Sequence, residues 1–141
     1  MEVLVALIIL SIGLLGTAGM QLAGLRYGYS ANLVYVATLQ ANDMADRIRA
    51  NPVALAAGNY NSIAGTGSDP GCISTACTPA QMAATDAYQW NTNNALVLPA
   101  GVGTVTGGGA GSTFTITVSW TEVGPGDIGN IAQSYTLSFQ P

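Results

Sequence analysis

The chain has 141 residues, of which 7% are charged against an average near 25%: three Arg, no Lys, no His and seven acids, for a net charge of −4. Without His, neither a Ser-His-Asp nor a Cys-His pair can be assembled, and without Lys there is no phosphate-loop lysine and no Schiff base. Three Arg under a net negative charge cannot make the phosphate contacts that carry nucleic-acid affinity, so what remains is a membrane protein, a secreted protein with a polar surface, or part of an assembly.

In chain order, the first feature is a run of 23 uncharged residues between Glu2 and Arg26, VLVALIILSIGLLGTAGMQLAGL, 16 of them apolar. About 20 apolar residues at 1.5 Å each cross a bilayer core of roughly 30 Å. The run is too long for a signal-peptide core, has no basic stretch before it, and ends without a clear cleavage site. It reads as a retained membrane-spanning helix, and with no second run of this kind the topology is single-pass.

Nothing obliges that helix to stop before Pro52, so one rod of about 75 Å is expected. Past Arg26, Leu33, Ala37, Ala41, Met44 and Ile48 recur at spacings of three and four, an apolar stripe on which a soluble domain can pack. Asn32, Thr38, Asn42, Asp46 and Arg49 take the other faces. Asp43 with Arg47 and Asp46 with Arg49 are favourable helical ion pairs, each worth about 0.2–0.5 kcal/mol. Arg47 and Arg49 also suit the helix C-terminus, and Asn51-Pro52 ends it.

Residues 53–77 read as loop. They hold the only two cysteines, Cys72 and Cys77, in GSDPGCISTACTPAQ. Zinc needs about four ligands, and no further Cys or His completes a site. The preferred reading is a disulfide closing a tight loop, which places this domain in an oxidising compartment; a pair of reduced structural thiols is the competing one. Arg26 alone would vote for the opposite orientation.

Thr78 with Gln81 forms a capping-box pattern with Pro79 at the first helical position, so a short helix is expected over about 79–93, with Ala83, Ala87 and Trp90 on one side. Strict alternation from Thr113 to Trp120 predicts a half-buried antiparallel strand with Phe114, Ile116, Val118 and Trp120 inward. Tyr135, Leu137 and Phe139 repeat the pattern. Val102 to Thr106 is a candidate third strand, joined to the second through the GGGAG turn at 107–111. The fold class is therefore α+β: a long N-terminal helix packed on a small antiparallel β-sheet whose apolar face needs the stripe as cover.

MEVLVALIILSIGLLG is similar to the N-terminal helix of type IV pilins. IGLLGTAGMQ, DMADRIRANP, the CxxxxC followed by TPAQMAATDAYQW, LPAGVGTV and TFTITVSWTE resemble, in that order, the PilV-like minor pilins, the type IV pilus modification proteins. The resemblance covers nearly the whole chain. It implies a type IV pilin fold, with residues 1–28 as the membrane-spanning and filament-core part of the helix. Residues 29–141 would be a periplasmic head: the amphipathic half-helix 29–51, the disulfide loop and short helix 53–98, and the antiparallel strands 100–141. It also implies a non-enzymatic minor pilin that primes pilus assembly and modulates adhesion and motility. Its partners would be other minor and major pilins, the inner-membrane assembly machinery and prepilin peptidase, with no cofactor, metal or small-molecule substrate. The location implied is the inner membrane, then the pilus on the cell surface.

The chain departs from the family pattern at its start. Glu2 aligns with the glutamate usually fifth in the mature protein, and Met1 falls on the apolar residue before it. The leader, its Gly-aromatic junction and the methylated aromatic terminus are not in this sequence, which points to a start codon placed too late or a truncated chain. The family's basic leader would remove the conflict over Arg26.

The resemblance assigns subunit assembly to Glu2 and the adjacent Met1, with the Glu2 carboxylate neutralising a neighbour's N-terminal amine; the bland alternative is a charge resting at the membrane surface. Gly13, Gly16, Gly19, Ala23, Gly24 and Gly28 permit close helix packing, with Gly24 and Gly28 forming a GxxxG pair; local loosening of the helix is the competing reading. Glu122, Asp127 and Asn130 suggest a calcium loop or a carboxylate pair less readily than solvated loop residues. Trp90 and Trp120 read as core. A type II secretion pseudopilin and a major pilin stay open within the superfamily, and a membrane-anchored binding module outside it.

Overall fold

The computed structural model describes residues 2–124 and 129–141. Its elements are α1 (Glu2–Ala50), α2 (Pro52–Ala56), β1 (Ser62–Ala64), α3 (Pro79–Val97), β2 (Val102–Thr106), β3 (Phe114–Val123) and β4 (Asn130–Phe139). The four strands form one antiparallel sheet in the order β1-β2-β3-β4. The chain divides into a helical unit ending at Leu33 and a compact head from Val34 to Pro141.

The second half of α1 is a core helix because its stripe has helical period. Leu33, Ala37, Ala41, Met44 and Ile48 are all buried, and Asn32, Asn42, Asp46 and Arg49 are exposed. Across the sheet, alternation does the same work: Phe114, Ile116, Val118 and Trp120 are buried under the helices, while Thr115, Thr117 and Ser119 face outward. Trp90 joins the layers. Its indole N–H donates to the Gln40 carbonyl (2.8 Å), and its ring lies so close to β2 that a Cβ on Gly103 would come within 2.3 Å of it. At the far edge the Arg49 guanidinium sits over the Phe139 ring at 4.7 Å.

Three expectations need correction. Residues 53–77 are not all loop: Asn51, read only as a stop, caps a second helix by accepting from the Ala54 N–H, with Pro52 in its first turn. The three-residue β1, too short to show an alternation, pairs with β2 and makes the sheet four-stranded. Helix α3 runs to Val97 rather than 93, with Asn91 and Asn94 both buried along it. Asn91 accepts from the Gly103 N–H (2.7 Å) and donates to the Gly65 carbonyl (2.8 Å), and the helix stops only at Leu98 before Pro99. Its capping box at Thr78 and Gln81 forms as expected. β3 and β4 are both longer than their alternating cores, and β4, the edge strand among the described residues, stays exposed or half-exposed along its length.

Candidate membrane and assembly surface

From Val3 to Leu25 the side chains of α1 are exposed on every face, among them Leu4, Ile8, Ile9, Ile12, Leu15 and Leu25. A helix apolar all round cannot be the surface helix of a water-soluble domain, and this one is long and apolar enough to cross a membrane. Its two hydroxyl groups are satisfied internally. The Ser11 hydroxyl donates to the Leu7 carbonyl (2.6 Å) and the Thr17 hydroxyl to the Leu14 carbonyl (2.9 Å), so neither is left without a partner in an apolar surround. At the end of the run Arg26 is followed by exposed Tyr27 and Tyr29, residue types that settle at the membrane interface. That tyrosine signal was readable in the sequence and adds to the reading of the run.

Glu2 stands exposed in the first turn of α1, where a carboxylate complements the helix dipole. Met1 lies outside the described residues. At Gly13, Gly16, Gly24 and Gly28 an added Cβ would meet nothing within 4 Å. Each Gly costs about 1 kcal/mol relative to Ala in a helix, and nothing within this chain requires the small side chain.

In the head, Cys72 and Cys77 form a disulfide. The loop it closes is tied further by the Ser74 and Thr75 hydroxyls, both donating to the Gly71 carbonyl, and it presents Ile73 fully to solvent. Glu122 accepts from the Trp120 indole N–H (2.8 Å), and Asn130 opens β4. Asp127 lies outside the described residues. Among the described residues no group of three or more His, Cys, Asp or Glu gathers as a metal site would require. Trp90 and Trp120 are buried, as core residues. A cleft of about 320 Å³ between β1 and α3 is lined by small uncharged groups, including Ser62, Gly65, Ala80, Ala84 and Ala87.

One polar cluster is absent from any sequence pattern. Asp86, on the inner side of α3, accepts from the Tyr60 hydroxyl (2.6 Å) and from Arg47 Nη1 (3.2 Å). Arg47 Nε also reaches Asp43 (2.9 Å), and Asn51 Nδ2 donates to the Tyr60 oxygen (3.3 Å) and to the Pro79 carbonyl (2.9 Å). Burial, and then the hydrogen bond to and the charge of Asp86, push the Tyr60 hydroxyl well above its usual pKa. This cluster ties α1, α2 and α3 together. The Asp46–Arg49 pair is present too, at 3.1 Å on the surface.

No family model, curated protein or solved structure matches the chain.

Proposed function

We propose that this chain is a membrane-anchored structural subunit of type IV pili, a PilV-like minor pilin. The observation that carries the reading is one continuous helix with two kinds of surface: apolar on every face to Leu25, then striped and buried against a sheet from Leu33 to Ile48. The first part is held in the inner membrane and later enters a filament core among the helices of other pilins; the second part holds a periplasmic head. Glycines that this chain does not itself need, at Gly13, Gly16, Gly24 and Gly28, give neighbouring helices room to approach. The disulfide Cys72–Cys77 suits the oxidising periplasm and cell surface. Glu2 serves as the carboxylate that pairs with a neighbouring subunit's N-terminal amine.

The test is fractionation of a piliated host producing the full-length protein. The expected result is the chain in the inner membrane and, at low abundance, in sheared pili together with other minor pilins. Abundance equal to the filament's main subunit would make it a major pilin instead, and co-purification with secretion components alone would make it a pseudopilin.

A further inference from the structure

Among the described residues the sheet has two open edges, β1 and β4. Which backbone groups face outward there follows from the ladder, because hydrogen-bonded and non-bonded pairs alternate along antiparallel strands. The Gly107 N–H donates to the Asn61 carbonyl (2.9 Å), and further along Asn91 bridges the Gly65 carbonyl and the Gly103 N–H. Residues 61, 63 and 65 thus turn their backbone groups to β2, and Ser62 and Ala64 turn theirs to the open side. At the other edge the Gly124 N–H donates to the Gly129 carbonyl (2.7 Å). By the same alternation the even-numbered residues of β4, Ser134 and Thr136 among them, turn their backbone groups outward.

What one edge lacks the other presents. Beside β1 lies the cleft of about 320 Å³, walled on the helix side by Ala80, Ala84 and Ala87, whose side chains are too small to fill it. On β4, Tyr135 and Leu137 pair with the fully buried Val118 and Ile116 and share their face, yet stay half-exposed. Neither edge holds a charge: none occurs from Ala50 to Ser68, nor from Asn130 to Pro141. The charged side chains that commonly keep sheet edges from joining are therefore missing from both. Direction agrees as well. Each strand reverses the one before, so β1 and β4 run opposite ways. Two heads in the same orientation bring them together antiparallel, with their helix-covered faces on the same side.

We infer that β4 of one copy of this chain adds as the next strand beside β1 of a second copy, laying its Tyr135 and Leu137 side chains over the alanines of α3. Backbone hydrogen bonds supply the contact, and the cleft receives the side chains of alternate residues. Two different surfaces meet, so each copy keeps one edge free after joining, and the contact is head-to-tail rather than two-fold. It joins heads and does not rest on what encloses residues 3–25.

The test uses the full chain in a mild detergent and a short bis-maleimide cross-linker, to which the native cysteines are closed by their disulfide. Single cysteines replace Ala64, Ser134 or, as a control on α2, Val53, all exposed positions that leave the fold unchallenged. An affinity tag on one preparation counts the mixed dimers. Ala64→Cys mixed with Ser134→Cys is expected to give at least tenfold more linked dimer than either variant alone or than Ala64→Cys mixed with Val53→Cys. Adding Ala84→Arg, a change at an exposed alanine of the cleft, to the Ala64→Cys copy should return the yield to the control level. A mixed yield no higher than the control overturns the inference. Linkage of Ser134→Cys to itself as readily as to Ala64→Cys marks a symmetric pairing of β4 edges and overturns it too. So does a mixed yield that Ala84→Arg leaves unchanged. None of these outcomes alters the fractionation expected of a pilus subunit, so the two readings stand or fall separately.

Discussion

Asp86 is the residue on which the head's polar interior turns. It is almost fully buried and takes hydrogen bonds from both Tyr60 and Arg47. Asp86→Ala leaves the Arg47 charge and the Tyr60 hydroxyl short of a partner and should cost about 2–3 kcal/mol, whereas Asp46→Ala, on the surface, should stay within about 0.5 kcal/mol. Thermal unfolding of the two variants in the same detergent checks the contrast. Tyr60 adds a pH dependence whose sign is fixed. Below the ordinary tyrosine value of 10.0 the hydroxyl is neutral in both folded and unfolded chains, and its contribution is fully present. Above that the unfolded chain ionises first, so stability falls as the pH climbs toward the raised folded value. In an alkaline titration, the tyrosinate absorbance should gain a last phase coincident with unfolding, and Tyr60→Phe should remove that phase. None of this was legible in the sequence, because Asp86 meets Tyr60 and Arg47 across 26 and 39 residues and no local spacing encodes such a meeting. The helical pairs Asp43–Arg47 and Asp46–Arg49, three and four residues apart, were legible for the converse reason.

At the scale of elements, glycines divide into two kinds. At Gly103 an added Cβ would strike the Trp90 ring and the Asn94 amide, so Gly103→Ala should lose about 1–3 kcal/mol from the head by overpacking. At Gly13 and Gly16 an added Cβ meets nothing, so the double Gly→Ala variant should keep or raise the helix content of the chain in micelles, seen by circular dichroism. If neighbouring helices use those gaps, as proposed, the same variant should be depleted from sheared pili; undiminished incorporation would count against that role. Elements with a sustained period were readable beforehand: the buried stripe of α1, with a repeat of three and four, and the buried-out alternation of β3. Helix α2, with five residues, and β1, with three, hold no period long enough to read. The end of α3 lies four residues beyond the expected 93, at Val97, just before the Leu98 cap and Pro99.

For the whole molecule, the shortage of charge becomes a matter of location. Apart from Glu2, every charged residue lies at or after Arg26, and the intervening helix surface is exposed, uncharged and largely apolar. Such a surface in water is unstable and in a bilayer is at home; in the proposed filament it would be exchanged for other helices of the same kind. In the proposed filament core Glu2 would be the costly group, because a carboxylate in an apolar core is penalised by several kcal/mol unless a positive partner meets it. The central claim is most directly tested by producing the full-length protein and its Glu2→Ala variant in a piliated host, and quantifying each in the inner membrane and in sheared pili. The account predicts equal membrane levels, with the variant missing from the pili. Incorporation of Glu2→Ala at the unsubstituted level would contradict it.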